Sequence, residues 1–573
     1  MDSMAQRVPR GLLRAAYRVL PERVWDAGRD VVFGESKVQC RMRTRSLAAA
    51  ERRAAGKIGV KVVAVRYRGE LLLAHPVVTF NASQVIAENA RFVFDTLEAA
   101  DVPYIVVDAP TQRRRVIALS SQQIGPAMSA LREAGSGRPV YAGWVMGRKL
   151  SPSHRLKDLP DWARSGHALR VFEAYASPTG QPLSAADLGC DIEVWTEVVE
   201  EVPSHLVGEV LPVGSLLAPR KNRWTDALLA DQREPVTVAV DGVPRPGLPA
   251  VTAHHQFDID FPIDVVYTWV DGNDPAWQER KSRAHEEAGL GTLHECADND
   301  SRFTSHDELR YSLRSLDMYA NWVGQVYLVT DDQVPDWLDT EHPKIRVVSH
   351  RELFGGRGRL PTFNSHAIET QLHHLDHLSE HYLYMNDDVF FGRPISPDVF
   401  FLSNGLANYF VSTAKIGLGG PQPSDMPVVS AGKNNRDLLF KTFDASVTNK
   451  LKHVPHSQRR SVMDEMEERF PEVFEQTASH QFRSQQDYSV AASLHHGYAY
   501  AIGKAVPGGM RYFYADIAAT QTPARLRHLL RNRDFDVFCL NDHDSSAMDP
   551  QEQAHQMERF LSSYFPLASS FEK

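Results

Sequence analysis

Four short apolar runs mark the second half of the chain, and three of them stop abruptly on acidic or amide residues. IDVVYTWV (263–270) runs into Asp271-Gly272-Asn273-Asp274-Pro275, and QVYLVTDD (325–332) closes on Asp331-Asp332. IRVVSH spans 345–350, and HYLYMNDDVFF (381–391) carries Asn386-Asp387-Asp388 inside an apolar frame. Runs this short, rich in β-branched and aromatic residues, read as buried strands. Between them HDELRYSLRSLDMYA (306–320) and NSHAIETQLHHLDHLSE (364–380) carry helical spacing, with Ser305 as the N-cap of the first. Strands alternating with helices specify an α/β layer.

The first half repeats the theme. KIGVKVVAVRY, VPYIVVDAP, RRRVIALSS and RPVYAGWVM read as strands, with helical patterns in SQVIAENARFVFDTLEAAD and QQIGPAMSALREAG. The expected organisation is a helical lead-in over 1–45, an N-terminal α/β region of unassigned role over 46–255, a catalytic region over 256–545 and a helical tail over 546–573. Prolines and glycines in 233–262 read as a connector, and the Gly/Pro-rich 417–435 as a mobile lid.

Composition narrows the function. The chain has 573 residues with 63 basic and 72 acidic side chains, a net charge of -9. That argues against a nucleic-acid partner, whose backbone favours a basic surface. The four cysteines, Cys40, Cys190, Cys296 and Cys539, are widely spaced and form no C-x-x-C pair, which fits a reducing, cytoplasmic setting and buried apolar roles. No apolar run reaches the roughly 18 residues that span a bilayer. The lead-in places Leu12, Leu13, Ala16, Val19 and Leu20 on one face of a basic helix. Such a helix packs on the protein body or makes peripheral contact with the inner face of a membrane.

The strand-end acids are the first chemical signal. In open α/β sheets the ligand crevice lies at the carboxyl ends of the strands. Carboxylates crowded there repel one another, and a hard cation such as Mg²⁺ or Mn²⁺ relieves the repulsion. A single Asp-Asp pair at a strand end equally reads as a turn cap; the apolar frame around Asp387 and Asp388 favours function, because unpaired buried charge is costly. Downstream, His453-Val454-Pro455-His456 and Arg483-Ser484-Gln485-Gln486-Asp487 supply an imidazole suited to proton transfer and a guanidinium suited to phosphate. His373, His374 and His377 fall on the second helical stretch with no evident carboxylate partner, and read as structural histidines.

Taken together, IDVVYTWVDGNDP (263–275), SRFTSHDELRYSLRSLDMYANWVGQVYLVTDDQVPDWL (301–338), LPTFNSHAIETQLHHLDHLSEHYLYMNDDVFFG (360–392) and KHVPHSQR with FRSQQD (452–487) resemble the four signature regions of the Stealth family. That family includes bacterial capsular and exopolysaccharide phosphotransferases and the catalytic core of the animal N-acetylglucosamine-1-phosphotransferase. The resemblance implies a Rossmann-like nucleotide-sugar-binding catalytic domain beside an additional N-terminal α/β domain. It implies transfer of a hexose-1-phosphate, N-acetylglucosamine-1-phosphate above all, from a UDP-sugar such as UDP-GlcNAc to a glycan hydroxyl, with UMP released. By motif, His453, Asp388 and Arg483 are the catalytic residues. Asp387 and Asp388, joined by Asn541 and Asp542 of VFCLNDHD, form the metal centre. Asp271, Glu308, Arg310, Ser365 and Asp487 line the substrates; Asp271 stands where the family often has Asn. On the residues alone, HDELRYSLRSL equally reads as an amphipathic helix with ion pairs. Two rivals remain: a metal-dependent glycosyltransferase attacking at C1 and releasing UDP, and a non-catalytic glycan-binding protein.

Overall fold

The computed structural model describes residues 49, 59–107, 114–147, 149–161, 167–203, 210–287, 306–519, 521–541 and 550–573. The lead-in over 1–45, Ser305, Asp542, Cys40 and Cys296 lie outside them.

The fold is a mixed α/β arrangement of several sheets. In the first half the elements are β1 (Val63–Tyr67), β2 (Glu70–Pro76), α1 (Ala82–Ala99), β3 (Ile105–Val107), β4 (Val116–Ser120), α2 (Ile124–Ala134), β5 (Val140–Met146), β6 (Ala168–Ala176), β7 (Cys190–Glu197), β8 (Val236–Val240) and β9 (Val243–Gly247). They form one large sheet ordered β1-β2-β6-β7-β4-β3-β9-β8, with β5 antiparallel to β6. Parallel and antiparallel neighbours alternate along it. Helices α1 and α2 bury Val93, Phe94, Leu97 and Leu131 against β4, β6 and β7.

The stretch read as a connector over 233–262 contains the hairpin β8–β9. Asp241 and Gly242 both take positive φ, 49° and 78°, at its two-residue turn. Asp-Gly is favoured in such a turn because both central residues must adopt a left-handed backbone. Pro244 and Pro246 are tolerated because β9 makes only a single register pair, Gly247 with Val106, on its far side.

The second half carries the site. A five-stranded sheet is built from β10 (Ile263–Thr268), β11 (Val326–Thr330), β12 (Ile345–Ser349), β13 (His381–Asn386) and, later in the chain, β15 (His456–Arg459). Its order is β12-β11-β10-β13-β15, parallel except for the antiparallel edge strand β15. Four carboxyl ends therefore meet at one sheet edge. Helix α3 (Pro275–Glu287) follows β10, α4 (Glu308–Tyr319) precedes β11, and α5 (His350–Phe354) follows β12.

The run HYLYMNDDVFF is two strands. β13 ends at Asn386, the chain turns at Asp387-Asp388, and β14 (Val389–Phe391) enters a different sheet between α4 and the last strands. There β14 pairs antiparallel with β17 (Val537–Asn541), which runs parallel to β16 (Tyr512–Asp516). The helix expected over 364–380 is only α6 (Ser365–Glu369), followed by a 3₁₀ turn (Leu372–His374). The early stop has local causes: the Thr370 hydroxyl donates to Ala367 O, and the Asp264 carboxylate accepts Ser379 N, drawing the chain into β13. The loop read as a lid, 417–435, gives way to α7 (Pro427–Phe443); α8 (Arg460–Arg469) and α9 (Pro471–Ser479) follow β15, α10 (Thr522–Asn532) follows β16, and α11 (Pro550–Tyr564) follows β17.

One apolar core joins the two halves. Phe80, Val85 and Ile86 of the first half pack with Leu313, Leu316 and Tyr319 of α4 and with Phe390, Phe538 and Phe565. The Phe80 and Tyr319 rings meet edge to face at 6.3 Å. Among the described residues no helix is long and apolar enough to cross a membrane.

Candidate active site

The turn between β13 and β14 places Asp387 and Asp388 where two buried sheets meet. The carboxylate of Asp388 is held on three sides. His453 Nε2 lies 3.0 Å from Oδ1, and Asn541 Nδ2 and Cys539 Sγ donate to Oδ2 at 3.0 and 3.3 Å. Cys539 and Asn541 reach it because they alternate on β17, whose Cys539 is the register partner of Val389. His453 comes from the segment leading into β15, the antiparallel neighbour of β13. Its Nε2 also lies 3.2 Å from the Asn386 amide nitrogen.

These contacts set the charges. Burial alone would push the Asp388 carboxyl up, but the His453 charge and hydrogen bonds from His453, Asn541 and Cys539 hold it below the usual range. Burial would lower the His453 imidazole; Asp388 outweighs that and raises it. The Cys539 thiol is pushed well up, by burial and then by the Asp388 charge, so it stays a proton donor. At Asp387 and Glu308 the lowering contacts are outweighed. Burial and then Asp388 push Asp387 up to about 7, while burial and then Asp387 push Glu308 up to about 8. Glu308 opens α4 and accepts the His306 N–H at 2.6 Å. It is held beside β14 because Ser312 on the same helix donates to Val389 O, and Ser315 accepts Phe391 N.

A second polar group forms around Arg483. Its Nη2 donates to Ser365 Oγ at 2.7 Å. Ser365 opens α6, capped by Asn364, whose amide also donates to Asp487 at 2.9 Å. Asp487 is buried and fully engaged: it accepts from Ser484 N at 2.8 Å and contacts His480 Nδ1 and His366 Nδ1 at 2.6 and 3.4 Å. It therefore shapes the Arg483 loop from behind. Burial lowers the Arg483 guanidinium, and Glu369 offsets part of that. Two residues link both groups: Glu369 acts electrostatically on Arg483 and on His453, and Tyr384 on β13 feels Arg483 and Asp387.

Other expected site residues have different partners. Arg310 is ion-paired to Glu572 at 2.5 Å and lies over the Trp337 ring, rather than facing the acidic pair. Asp271 caps the turn after β10: it accepts Asn273 N at 2.9 Å while its own N–H donates to Gln333. Asp331 is paired to Arg280 at 2.9 Å and Asp332 to Arg351 at 3.1 Å, so this strand-end pair is neutralised by arginines. Sequence reasoning missed Cys539, Glu369, His366 and His480. For Cys539 a signal was present, since Cys539 and Asn541 are two apart in a strand and share a face.

The carboxylates have the chemistry of a hard-cation site. Glu308 and the half-buried Asp387 are acids raised first by loss of solvent and then by a neighbouring carboxylate, and carboxylate oxygen is the donor that Mg²⁺ and Mn²⁺ prefer.

An acidic pair bonded to an imidazole at the end of a parallel sheet, with a guanidinium group close enough to share electrostatic partners, has the chemistry that group-transfer enzymes use. The conserved regions of the Stealth proteins match along the second half of the chain, region 1 at 261–289, region 2 at 302–409, region 3 at 452–500 and region 4 at 527–573. The exopolysaccharide phosphotransferase SCO6023 of Streptomyces coelicolor is 41% identical over 85% of this chain and 82% of its own. The exopolysaccharide phosphotransferase CpsY of Mycobacterium tuberculosis is 34% identical over 90% and 93%. SCO2592 of Streptomyces coelicolor is 40% identical over 86% of this chain, which spans only 51% of that longer relative. The chain belongs to the Stealth family. Among solved structures, the galactosyltransferase LgtC aligns over 53% of this chain and 96% of its own with 12% identity and a TM-score of 0.28.

Proposed function

We propose that this chain is an exopolysaccharide phosphotransferase that moves a hexose-1-phosphate from a UDP-sugar, UDP-GlcNAc first among the candidates, to a hydroxyl of a glycan acceptor. The observation that carries the reading is the Asp388–His453 pair, linked through Glu369 and Tyr384 to the Arg483–Ser365 pair. The five-stranded sheet would serve as a Rossmann-like donor-binding layer, with the nucleotide at its carboxyl edge.

In this reading the acceptor oxygen attacks the β-phosphorus. The new bond is O–P, the bond broken joins that phosphorus to the bridging oxygen, and UMP leaves with the bridging oxygen. His453 Nε2 takes the proton of the attacking hydroxyl. The nitrogen is suited to this because it has a partner in both states: protonated, it donates to Asp388; deprotonated, it accepts from Asn386. Asp388 orients the ring and stabilises the imidazolium. Arg483, steadied by Ser365, donates to the non-bridging phosphate oxygens. A divalent ion held by Asp387 and Asp388, the latter steadied by the Asn541 amide, would offset the diphosphate charge. With the buried Glu308 alongside, such an ion would also relieve the repulsion among these three carboxylates.

Incubation with a panel of UDP-sugars, Mg²⁺ or Mn²⁺ and a glycan acceptor, with nucleotide products read by mass, tests the reading. UMP is the expected product. UDP would replace it with glycosyl transfer, and no turnover of any donor would leave a binding protein.

A further inference from the structure

A histidine pair outside this site has a carboxylate partner that the sequence did not reveal. His373 and His374 lie in the 3₁₀ turn Leu372–His374, and Glu467 reaches them from α8, 94 residues away. His373 Nε2 is 2.7 Å from Glu467 Oε2, and His374 Nε2 is 3.0 Å from the same oxygen. The two rings are 4.0 Å apart between centroids. His373 is wholly buried and held edge-on by Phe474 at 5.8 Å. His374 and Glu467 are about a quarter exposed, at 24% and 28%, so the cluster opens to solvent on one side.

Hydrogen bonding alone leaves this cluster incomplete. Among the described residues, His374 Nε2, although 3.0 Å from Glu467 Oε2, and His373 Nδ1 are buried atoms with no aligned hydrogen-bond partner. Two imidazole nitrogens and a carboxylate oxygen, all within 4.8 Å of one another, are the donor set of a borderline divalent ion. Metal–ligand bonds of about 2.0–2.2 Å set tetrahedral ligands roughly 3.3 Å apart. From the present 2.7 and 3.0 Å, the Glu467 oxygen would move about 0.6 Å away from His373 Nε2 and about 0.3 Å away from His374 Nε2, and the solvent side leaves room for water as a further ligand.

We propose that His373, His374 and Glu467 form a Zn²⁺-type site, separate from the carboxylate-rich centre around Asp387. The bound ion would tie the turn ahead of β13, the strand that delivers Asp388, to α8, which follows the His453 segment and β15. It would act as a structural staple across the two chain segments that supply the catalytic pair.

The test uses the full chain, stripped with a chelator and titrated with Co²⁺ as a spectroscopic probe, then with Zn²⁺ during thermal melting. The expected spectrum has visible ligand-field bands without thiolate-to-metal charge transfer. Glu467→Gln and His374→Ala should each bind one equivalent fewer than wild type, and Cys539→Ser should lose none of the thiolate-free signal. Zn²⁺ should raise the melting temperature of the wild type and not that of Glu467→Gln. That variant keeps the shape and an acceptor oxygen for both histidines, so it preserves the turn whether or not a metal binds. Unchanged stoichiometry in Glu467→Gln and His374→Ala would overturn the proposal. So would a Co²⁺ signal that disappears in Cys539→Ser, or a wild type indifferent to Zn²⁺.

Discussion

His453 Nε2 lies 3.0 Å from Asp388 Oδ1, although 65 residues of chain separate them. His453→Ala should lower kcat by about 10²–10⁴-fold, the usual contribution of a positioned acid–base group. Donor affinity, read by calorimetry with the UDP-sugar, should stay within about threefold of wild type, since uniform binding does not depend on the imidazole. Near-normal turnover in the variant would remove His453 from the reaction.

Three carboxylates, from Glu308, Asp387 and Asp388, share one buried region, and two of them are raised toward neutrality. Asp387→Asn removes repulsion while keeping size. The metal-stripped variant should melt roughly 1–3 °C above wild type, while Mg²⁺- or Mn²⁺-supported turnover falls by at least about 100-fold. Melting curves with and without the ion, beside a rate assay, check both signs. A variant that is active and no more stable than wild type would show that these acids do not hold an ion.

Arg483 meets Ser365 at 2.7 Å, and Asp487 braces the loop behind it. Arg483→Lys keeps the charge but loses the planar fork, and should raise the donor KM by roughly 10–100-fold. Ser365→Ala removes one hydrogen bond from the charged guanidinium and should cost about tenfold or somewhat more. Asp487→Asn should raise the donor KM with little change in kcat, as expected of a residue that positions the arginine.

Glu572 is paired with Arg310 and Arg314 at 2.5 and 2.7 Å, and these arginines with Ser569 N outweigh burial, holding its carboxyl at about 2. A depressed folded-state value means that the unfolded chain binds the proton first on acidification. The stabilisation is therefore fully present above the ordinary glutamate range, about 4.3, and is lost as the pH falls toward 2. Glu572→Gln should cost about 2 kcal/mol at pH 7, and the gap from wild type should narrow steadily between pH 4.5 and 2. Urea unfolding across that range measures it. A pH-independent gap would mean that packing, not charge, gives Glu572 its effect.

Legibility in the sequence followed burial. The parallel strands β10 to β13 were readable because strands covered on both faces become continuous apolar runs, as in Val265, Val266 and Tyr267. The β8–β9 hairpin was not, because its exposed edge tolerates prolines that usually mark a connector. The pattern over 364–380 overstates the helix: buried side chains at helical spacing, such as Ala367, Ile368 and Leu372, also suit a short helix followed by a tight turn. In the site, Asp387, Asp388 and His453 were legible as charge in an apolar frame and as a motif. Cys539, Glu369 and the Glu467 partner of His373 were not, since nothing local encodes which distant side chain a fold will bring alongside.

The turn Asp387-Asp388 has an arithmetic consequence. Asn386 completes one sheet, opposite Thr268, and Val389 begins another, opposite Cys539. Adding or deleting one residue between them would shift a neighbouring strand by half a pleat repeat and exchange its inward and outward faces. Since both strands are buried on all sides that matter, neither has slack to absorb the slip. The interval between the acidic pair and its two flanking ladders is thus policed by core packing as well as by chemistry, and loop-length variation in relatives should fall elsewhere.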